Sequence, residues 1–326
     1  MKLSVIIPVY NVEEYVIRCI NSVIQNDLDS SAYEIIIVDD ASPDDSVKII
    51  QSHFQEVANL KVIAQKNKGL GGARNTGILN AKGMFLLFLD ADDCLVSNTL
   101  SQIVNKAIAT QVEVLEFGAQ GVSENGTVCY SFSNSSNSLV LDGMDYYQKV
   151  RYANSACNKL YKTEFLKENQ LFFEEQLYIE DFEFNTRVFL LAKRMLAVET
   201  IVGQFLQSPN SITRNVSLSK KEKMQNDIEH VMVITNQIYL KSTNQHAFFK
   251  ERLGFLTATL IVQMIKNHSD YKTIHSKIED LKTKKLFFVN HPLFDRSKNL
   301  FRIIFLKQLV LLKIVLPLYQ FLKNKC

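Results

Sequence analysis

The feature that most limits the fold of this chain is a regular alternation of short apolar segments with helical segments over residues 1–117. The apolar segments are rich in β-branched residues, which predicts buried strands: Leu3–Val9, Tyr33–Val38, Leu60–Ala64, Met84–Leu89 and Val112–Phe117. The segments between them predict helices: Glu13–Gln25, a helix capped by Ser42 with Pro43 in its first turn, Gly71–Ala81 and Asn98–Thr110. This alternation predicts an α/β fold, in which a mostly parallel sheet is covered by helices on both faces.

Beyond residue 117 the composition and the spacing of apolar residues change. Residues 118–150 are polar and rich in Ser and Asn, which predicts a loop or an edge hairpin. From Lys220 onward the apolar spacing becomes helical, over Lys220–Leu240 and Ala247–Asn267. We therefore expect an α/β domain of residues 1–215, followed by a helical C-terminal region of residues 216–326.

Acidic residues follow two of the predicted strands directly. Asp39 and Asp40 end the second strand, and Asp90, Asp92 and Asp93 follow the fourth. Sheets of this kind bind their ligands at the carboxyl ends of the strands. A partly buried carboxylate is costly unless it is paired, and carboxylates together with phosphate oxygens suit Mg²⁺ or Mn²⁺. The second acidic group indicates either a metal and ligand site or a solvated acidic turn before the next helix.

A glycine-rich segment, Gly69–Arg74, leads into another predicted helix. It begins like the GxGxxG dinucleotide fingerprint, but its sixth position is Arg74 and it follows the third strand instead of the first. No GxxxxGK[ST] phosphate loop is present in the sequence. The segment is therefore either a flexible turn or a close backbone approach to a ligand, with Arg74 directed at a phosphate.

Seven motifs occur in one order along the chain, and their positions are SVIIPVYN (4–11), IIIVDDASPD (35–44), NKGLGGARNTGI (67–78), FLDADD (88–93), NKLY (158–161), IEDFEF (179–184) and SITR (211–214). In this order and at this spacing they resemble the family 2 glycosyltransferases with the GT-A fold, a Rossmann-like α/β fold. The resemblance is to enzymes of bacterial cell-surface polysaccharide synthesis, and it covers about residues 2–215.

The resemblance implies an inverting, metal-dependent enzyme that moves a sugar from a nucleotide-sugar, in particular a UDP-sugar, to a hydroxyl of a saccharide or lipid-linked acceptor. It implies that Asp181 is the general base, that Glu180 supports it, and that Asp92 ligates Mn²⁺ or Mg²⁺. The residues implied in nucleotide-sugar binding are Pro8, Val9, Tyr10, Asp39, Arg74 and Asp90.

Two departures from the family pattern affect the expected site. Cys157 stands where the family often has Trp, and the chain has no Trp, so Tyr152 and Tyr161 become the candidate aromatic platforms for a sugar. Leu206-Gln207 stands where the family often has a Tyr-Arg pair. The basic contact to the diphosphate then falls to another residue, and the candidates are Lys159, Arg214 and Lys66.

Two other functions compete with sugar transfer on the sequence alone. A nucleotidyltransferase also uses carboxylates on an α/β sheet, but it would place a glycine-rich basic signature after the first strand, where Pro8-Val9-Tyr10-Asn11 stands. A catalytically inactive module that binds a nucleotide-sugar is the third hypothesis, although every expected acid is present.

The C-terminal residues 298–325 form a basic amphipathic tail with six Lys or Arg residues and no acid. From Leu281 onward, ten basic residues stand against one acid, Asp295. The longest uncharged run, Ile314–Leu322, is too short to span a bilayer. We interpret the tail as binding an anionic membrane surface, and the alternative is a helix packed on the protein with a solvated basic edge. Nucleic acid is not an expected partner, because the aromatic residues are spaced like an apolar face.

The compartment is inferred from what the sequence lacks. Five scattered cysteines form no disulfide framework, and the apolar start of the chain is too short for a signal peptide. We expect a cytoplasmic protein, peripheral at the cytosolic face of the plasma membrane.

Overall fold

A computed structural model of the chain describes residues 1–150, 152–207 and 217–323. The chain divides into two compact units, Met1–Asn215 and Val216–Cys326.

In the first unit a sheet carries the fold, and its strands within the described residues are β1 (Leu3–Val9), β2 (Tyr33–Asp39), β3 (Leu60–Ala64), β4 (Phe85–Phe88), β5 (Cys94–Leu95), β6 (Val114–Val122), β7 (Val128–Phe132), β8 (Lys159–Lys162) and β9 (Met195–Leu206). The α-helices described between them are α1 (Val16–Ile24), α2 (Ser46–His53), α3 (Gly69–Asn80), α4 (Leu100–Thr110), α5 (Gly143–Lys149), α6 (Thr163–Glu168) and α7 (Glu180–Leu191).

The strands form one sheet in the order β3-β2-β1-β4-β8-β6-β9-β5, and β7 pairs with β6 outside this path. Strands β3, β2, β1 and β4 are parallel to one another. Beyond β4 the sheet is mixed, because β8 is antiparallel to both β4 and β6 while β9 is parallel to β6. The predicted α/β class is confirmed, and the parallel order holds for the half of the sheet that the alternating sequence encodes.

The chain order reverses between β1 and β4, which makes this the topological switch point of the sheet. The two strands pair from Leu3 to Ile6 on β1 and separate beyond Phe88 on β4. Pro8 follows on β1 where β4 has already ended, so its missing N–H removes no bond to that neighbour. The separation opens the carboxyl end of the sheet at this position.

The predicted start of α2 at Ser42 is wrong, because the helix begins at Ser46. The Ser42 hydroxyl instead accepts a hydrogen bond from the N–H of Asn11 and donates to Asp44. Asp44 also accepts from the N–H of Glu13 and from Ser46. Partial burial would raise the pKa of Asp44, but these hydrogen bonds lower it to about 2. The segment is therefore a polar clamp that joins the loops after β1 and β2.

The polar stretch 118–150 contains more regular structure than the sequence predicts. Strand β6 continues through Val122, and β7 returns antiparallel to it as a hairpin. Helix α5 then follows, capped by the Asp142 carboxylate, which accepts from the N–H of Asp145. The predicted edge hairpin is confirmed, while α5 was not predicted.

The second unit is helical within the described residues, with α8 (Leu218–Lys241), α9 (His246–Lys266), α10 (Tyr271–Thr283), α11 (Arg296–Phe301) and α12 (Leu309–Lys323). Its core gathers apolar residues of α9 and α10 with Leu306, Leu312 and Leu316. Arg302 is buried and donates to the carbonyl of Val289. The basic tail thus packs one face into its own unit. In the described part of the chain, no helix is long and apolar enough to cross a membrane.

Candidate functional site

The carboxyl end of β1 presents one of its three predicted binding residues to solvent. Tyr10 is 51% exposed, directly beyond the strand. Pro8 and Val9 are buried, and the Val9 side chain belongs to the hydrophobic core. A ligand could therefore contact the ring of Tyr10, whereas the side chains of Pro8 and Val9 pack inside the protein and support the strand end.

The two aspartates at the end of β2 differ in their surroundings. Asp40 is buried, and it accepts hydrogen bonds from the side chain of Gln65 and the N–H of Lys68, which fixes the loop before α3. Asp39 is half-buried and accepts one bond, from the N–H of Ser42. A carboxylate has about four lone-pair positions, so Asp39 retains acceptor capacity and matches the predicted ligand-binding role better than Asp40.

Arg74 joins the two halves of the candidate site. Its Nη2 donates to Oδ1 of Asp90 (2.9 Å), and its Nη1 donates to Oε1 of Glu180 (3.0 Å) and Oδ1 of Asp181 (2.7 Å). Its side chain is 1% exposed. The guanidinium therefore binds three carboxylates from two distant segments, the turn after β4 and the start of α7.

The packing of α3 places this guanidinium. Gly77 lies against β1 so closely that a Cβ atom there would come within 2.3 Å of the Ile6 side chain. Helix α3 can therefore lie directly on the sheet, with Arg74 one turn earlier. The guanidinium also lies over the rings of Phe173 and Phe88, at 5.2 and 5.9 Å from the ring centroids. The predicted proximity of Arg74 to a phosphate is replaced by an observed role as a partner of acids.

Glu180 and Asp181 begin α7, and they occupy different environments. Glu180 is buried, and burial followed by the charge of Asp181 raises its pKa to about 7, against the lowering effect of Arg74. Asp181 is partly exposed; its Oδ1 is bound to Arg74 and its Oδ2 accepts from the N–H of Ala156 (2.9 Å). Both oxygens keep a further lone pair, so Asp181 is the acid of the pair that a substrate hydroxyl can reach.

The acids after β4 form a tight turn in which the N–H of Asp93 donates to the carbonyl of Asp90. Arg18 on α1 binds the carbonyl of Asp92 (2.8 Å) and so anchors the turn through its backbone. Burial, and then the charge of Asp90, raises the pKa of Asp92 to about 6. A crowded carboxylate of this kind is a fitting ligand for a divalent cation, which would offset the repulsion.

Across residues 1–150, 152–207 and 217–323, no group of three His, Cys, Asp or Glu side chains is arranged to hold a metal ion by itself. A cation held at Asp92 would therefore take its other ligands from water and from substrate phosphates. That division is usual for Mg²⁺, which binds one or two carboxylates together with phosphate oxygens.

Lys159 does not present its ammonium to a ligand. It is fully buried, and Nζ donates to the carbonyls of Ala153 (2.7 Å) and Ser155 (2.8 Å) and to the side chain of Asn158, and forms an ion pair with Glu116. Burial lowers its pKa, and the charge of Glu116 opposes this effect. Its predicted contact to the diphosphate is therefore corrected to a supporting role: it holds the segment that carries the Ala156 N–H to Asp181.

The two remaining basic candidates for the diphosphate contact are Lys66 and Arg214. Lys66 is exposed in the loop between β3 and α3. Arg214 lies outside the residues that the structure describes, so its predicted role in nucleotide-sugar binding stays a prediction.

The two candidate aromatic platforms differ in burial. Tyr161 is fully buried, with its hydroxyl against Asn185, so it supplies no open face to a sugar. Tyr152 packs edge-on to Phe189, with ring centroids 4.7 Å apart, and is half-buried. Of the two, only Tyr152 keeps surface that a sugar could contact.

A different set of aromatic rings lines a cavity of about 340 Å³ together with two of the acids. Its lining residues are Asp90, Asp93, Ala153, Ser155, Cys157, Tyr130, Phe132 and Phe205. Cys157 is buried with its Sγ 3.4 Å from Nη2 of Arg74. Sequence reasoning missed the aromatic residues, since they lie in the hairpin and in the last strand, where no motif marks them.

Comparison of the whole fold with solved structures gives the class. Over 82% of this chain and 73% of the other, the structure superposes on Staphylococcus aureus TarS residues 1–349 in complex with UDP-GlcNAc, with a TM-score of 0.63 and 25% identity. A mannosyltransferase of Pyrobaculum calidifontis, solved with GDP-Man and Mn²⁺, matches 86% of this chain and 75% of its own at a TM-score of 0.55; at 14% identity it supports the fold alone. The fold and the acid-lined site define a glycosyltransferase of the GT-A class.

Sequence comparison then gives the family: the model of glycosyl transferase family 2 matches residues 4–169, and the chain belongs to that family. It is 30% identical over 217 residues to the uncharacterized glycosyltransferase EpsJ of Bacillus subtilis, covering 65% of this chain and 62% of EpsJ. It is 28% identical over 270 residues to the poly(ribitol-phosphate) β-N-acetylglucosaminyltransferase TarS, covering 78% of this chain and 46% of TarS. The chain thus spans less than two thirds of the length of these relatives.

Proposed function

We propose that this protein transfers a sugar, with inversion, from a nucleotide-sugar to a hydroxyl of a saccharide or lipid-linked acceptor in cell-surface polysaccharide synthesis. The observation that carries the proposal is the bridge that Arg74 makes between Asp90 and Asp181. One guanidinium holds an acid of the turn after β4 beside an acid at the start of α7. A sugar bound against this pair would meet a binding carboxylate at Asp90 and a base at Asp181.

In the proposed step Asp181 accepts the proton of the acceptor hydroxyl as its oxygen attacks the anomeric carbon of the donor. The bond from that carbon to the diphosphate oxygen breaks, and the nucleoside diphosphate leaves with the bonding electrons. A single displacement of this kind inverts the anomeric configuration and needs one base rather than the two carboxyl groups of a retaining hydrolase. Glu180 supports the base through their shared contact with Arg74.

The charge of the leaving group must be offset, and Asp92 is the residue we assign to this task through a metal. When bound, Mg²⁺ or Mn²⁺ would neutralise charge that develops on the diphosphate. The raised pKa of Asp92 supports this assignment, because the carboxylate lies in an environment short of positive charge. Arg214, outside the described residues, stays our further candidate for a diphosphate contact.

We propose UDP as the nucleotide, with Asp39 accepting a hydrogen bond from the base and Tyr10 beside the base and ribose. The acceptor capacity left on Asp39 supports this. The solved complexes of TarS with UDP-GlcNAc and with UDP support the same nucleotide for this chain. Asp90 would then hold the ribose or the donor sugar.

We propose further that the protein is peripheral at the cytosolic face of the plasma membrane. The tail carries exposed apolar residues beside exposed lysines, among them Val310, Ile314 and Leu318 with Lys307 and Lys313. Phe301 and Phe305, in contrast, pack against the core of the second unit. An apolar face bordered by lysines matches an anionic lipid surface. The same tail can therefore pack one face on the second unit and present its other face to a membrane.

The test is a screen of nucleotide-sugars for release of nucleoside diphosphate, with Mn²⁺ or Mg²⁺, by the full chain and by two variants. Asp92→Ala should abolish metal-dependent turnover, because the charge of the diphosphate would no longer be offset. Asp145→Ala removes an exposed aspartate of α5 and should behave as the wild type. Turnover by Asp92→Ala in excess Mn²⁺ would refute the metal assignment, and a wild type inactive on every donor would favour the non-catalytic module.

A further inference from the structure

The cavity beside the acids has an aromatic wall that no motif of the chain accounts for. Tyr130 and Phe132 project from β7, with their rings stacked at 6.5 Å and 18°. Phe205 on β9 continues the wall, 6.3 Å from Phe132. Tyr130 is 45% exposed, and its hydroxyl accepts a hydrogen bond from the side chain of Gln207. The wall therefore offers a flat apolar surface at the edge of the site.

The backbone of the hairpin is shaped to hold this wall. Gly121 on β6 stands directly opposite Tyr130 in the strand register. A Cβ atom at Gly121 would come within 2.2 Å of the Tyr130 ring. The absence of a side chain at Gly121 lets the Tyr130 ring lie across the neighbouring strand, at the edge of the cavity that it lines.

The cavity is also lined by acids, and it lies next to the segment that binds the proposed base. Asp90 and Asp93 supply its carboxylates. Ser155 and Cys157 also line the cavity, and the residue between them, Ala156, donates its N–H to Asp181. The cavity therefore lies on the base side of the site, while Tyr10 and Asp39 lie at the ends of β1 and β2 on the other half of the sheet. Asp90, proposed above to hold the ribose or the donor sugar, lies where the two parts of the site meet.

The charges of the cavity limit the chemistry of what it can hold. Its described lining residues include two carboxyl groups, those of Asp90 and Asp93, and no Lys, Arg or His. A phosphate group would therefore find no basic partner among these residues, and Asp90 is already paired with Arg74. A sugar ring matches both the aromatic and the acidic lining residues. Its C–H face is apolar and can lie on aromatic rings, and its hydroxyls can donate to carboxylates. A volume of about 340 Å³ lies at the lower end of the usual range for ligand pockets.

We propose that this cavity is the acceptor subsite, and that it binds the ring of a neutral pyranoside by stacking on Tyr130, Phe132 and Phe205. The proposal rests on the proposed sugar transfer and deepens it by naming the acceptor class. It also separates this chain from TarS, whose name gives poly(ribitol-phosphate) as its acceptor. An acyclic polyol phosphate has no ring face to stack, and its charge would find no basic partner among the described lining residues.

A binding test does not depend on turnover. The chain contains no Trp, so Tyr130→Trp in the full chain places a single fluorescent reporter on the wall. Val128→Trp is the matched control, because Val128 lies on the same strand and is similarly exposed but does not line the cavity. The probes are the methyl β-pyranosides of glucose, galactose and N-acetylglucosamine, with ribitol 5-phosphate as the polyol phosphate.

We expect a saturable emission change at position 130 with at least one pyranoside, and none with ribitol 5-phosphate or at position 128. A response to ribitol 5-phosphate without one to any pyranoside would overturn the proposal. So would the same response at both positions, or no response to any pyranoside at millimolar concentrations.

A kinetic test separates this proposal from the proposed function. With the pyranoside that binds as acceptor, Tyr130→Ala should raise the acceptor KM about fivefold to tenfold relative to Val128→Ala, while Tyr130→Phe should stay close to the wild type. The readout is the acceptor KM divided by the donor KM, which a general loss of folding does not move. An increase confined to the donor KM would place the donor sugar on the wall and overturn the proposal. A wild type that transfers from no nucleotide-sugar would refute the proposed function, and the fluorescence result would still decide the cavity.

Discussion

Replacement of Arg74 by methionine should destabilise the first unit strongly, because this one residue neutralises three acids. The guanidinium is buried and lies 2.7–3.0 Å from carboxylate oxygens of Asp90, Glu180 and Asp181. Methionine has a similar length and keeps the contact with the aromatic rings, so the change mainly removes the charge. The three acids would then repel one another without a partner in a site of low exposure.

The expected loss is about 3–5 kcal/mol in the free energy of unfolding, which is typical when one partner of a buried ion pair is removed. Most of it should come from Glu180, the most buried of the three acids. The double variant with Glu180→Gln should therefore recover part of this loss, and more than Glu180→Gln gains in the wild type at the same pH, since the neutral amide ends one repulsion.

The assay is urea unfolding followed by far-UV circular dichroism, with hydrogen exchange of α3 and α7 to assign the transition to the first unit. Arg194→Met is the matched control, because Arg194 is exposed and donates to the carbonyls of Thr110 and Gln111 without an acid partner. It should cost about 1 kcal/mol or less. A loss for Arg74→Met no larger than this control, or no recovery in the double variant, would refute the reasoning.

Three further predictions follow from the described residues. The pKa of Glu180 is about 7 in the folded chain against an ordinary value of 4.5, so its contribution to stability is present below pH 4.5 and is lost as the pH rises through 7. Glu180→Gln should therefore be more stable than the wild type by up to about 3 kcal/mol at alkaline pH and equally stable at low pH. The same dependence of unfolding free energy on pH in both proteins would contradict this prediction. Ile314→Glu, at a position 58% exposed on α12, should reduce sedimentation with anionic liposomes at low salt, whereas Leu240→Glu, 74% exposed on α8, should not, and equal binding by both variants would count against the membrane proposal. Lys159→Met should lower kcat while leaving the donor KM near that of the wild type, because it releases the segment that holds Asp181, and a large change in donor KM with unchanged kcat would instead favour the original diphosphate role.

The sequence predicts the first half of the sheet well because the code there is local. Buried parallel strands are continuous apolar runs, and Leu3–Val9 is observed buried along its whole length and with the predicted bounds. Predicted boundaries are wrong where side chains compete for the backbone. Ser42 is a residue type that caps helices, but its hydroxyl binds the loop after β1, and the helix begins at Ser46. Propensity alone cannot show which of two polar partners wins.

The site was predicted to the extent that motifs mark it. Asp90, Arg74 and Asp181 are brought together as their motif positions suggest. The burial of Lys159 was not predictable, because its partner Glu116 lies 43 positions earlier on a different strand, with no motif to link them. The same holds for Tyr130 and Phe205, which meet through the pairing of β6 with β7 and β9. Long-range pairing in the mixed half of the sheet is the information that periodicity does not carry.

The central claim is that Asp181 is the base of an inverting sugar transfer, and one measurement tests it most directly. Asp181→Asn keeps the shape of the side chain and its bond to the Ala156 N–H through the amide oxygen. Its NH₂ group replaces the oxygen that accepts from Arg74, and it cannot accept the acceptor proton. The measurement is single-turnover transfer from the donor found by screening, by wild type and variant at equal donor saturation. The account predicts donor affinity close to that of the wild type, a rate lower by about 10²-fold or more, and a wild-type product of inverted anomeric configuration. Wild-type turnover by Asp181→Asn, or a product of retained configuration, would contradict it.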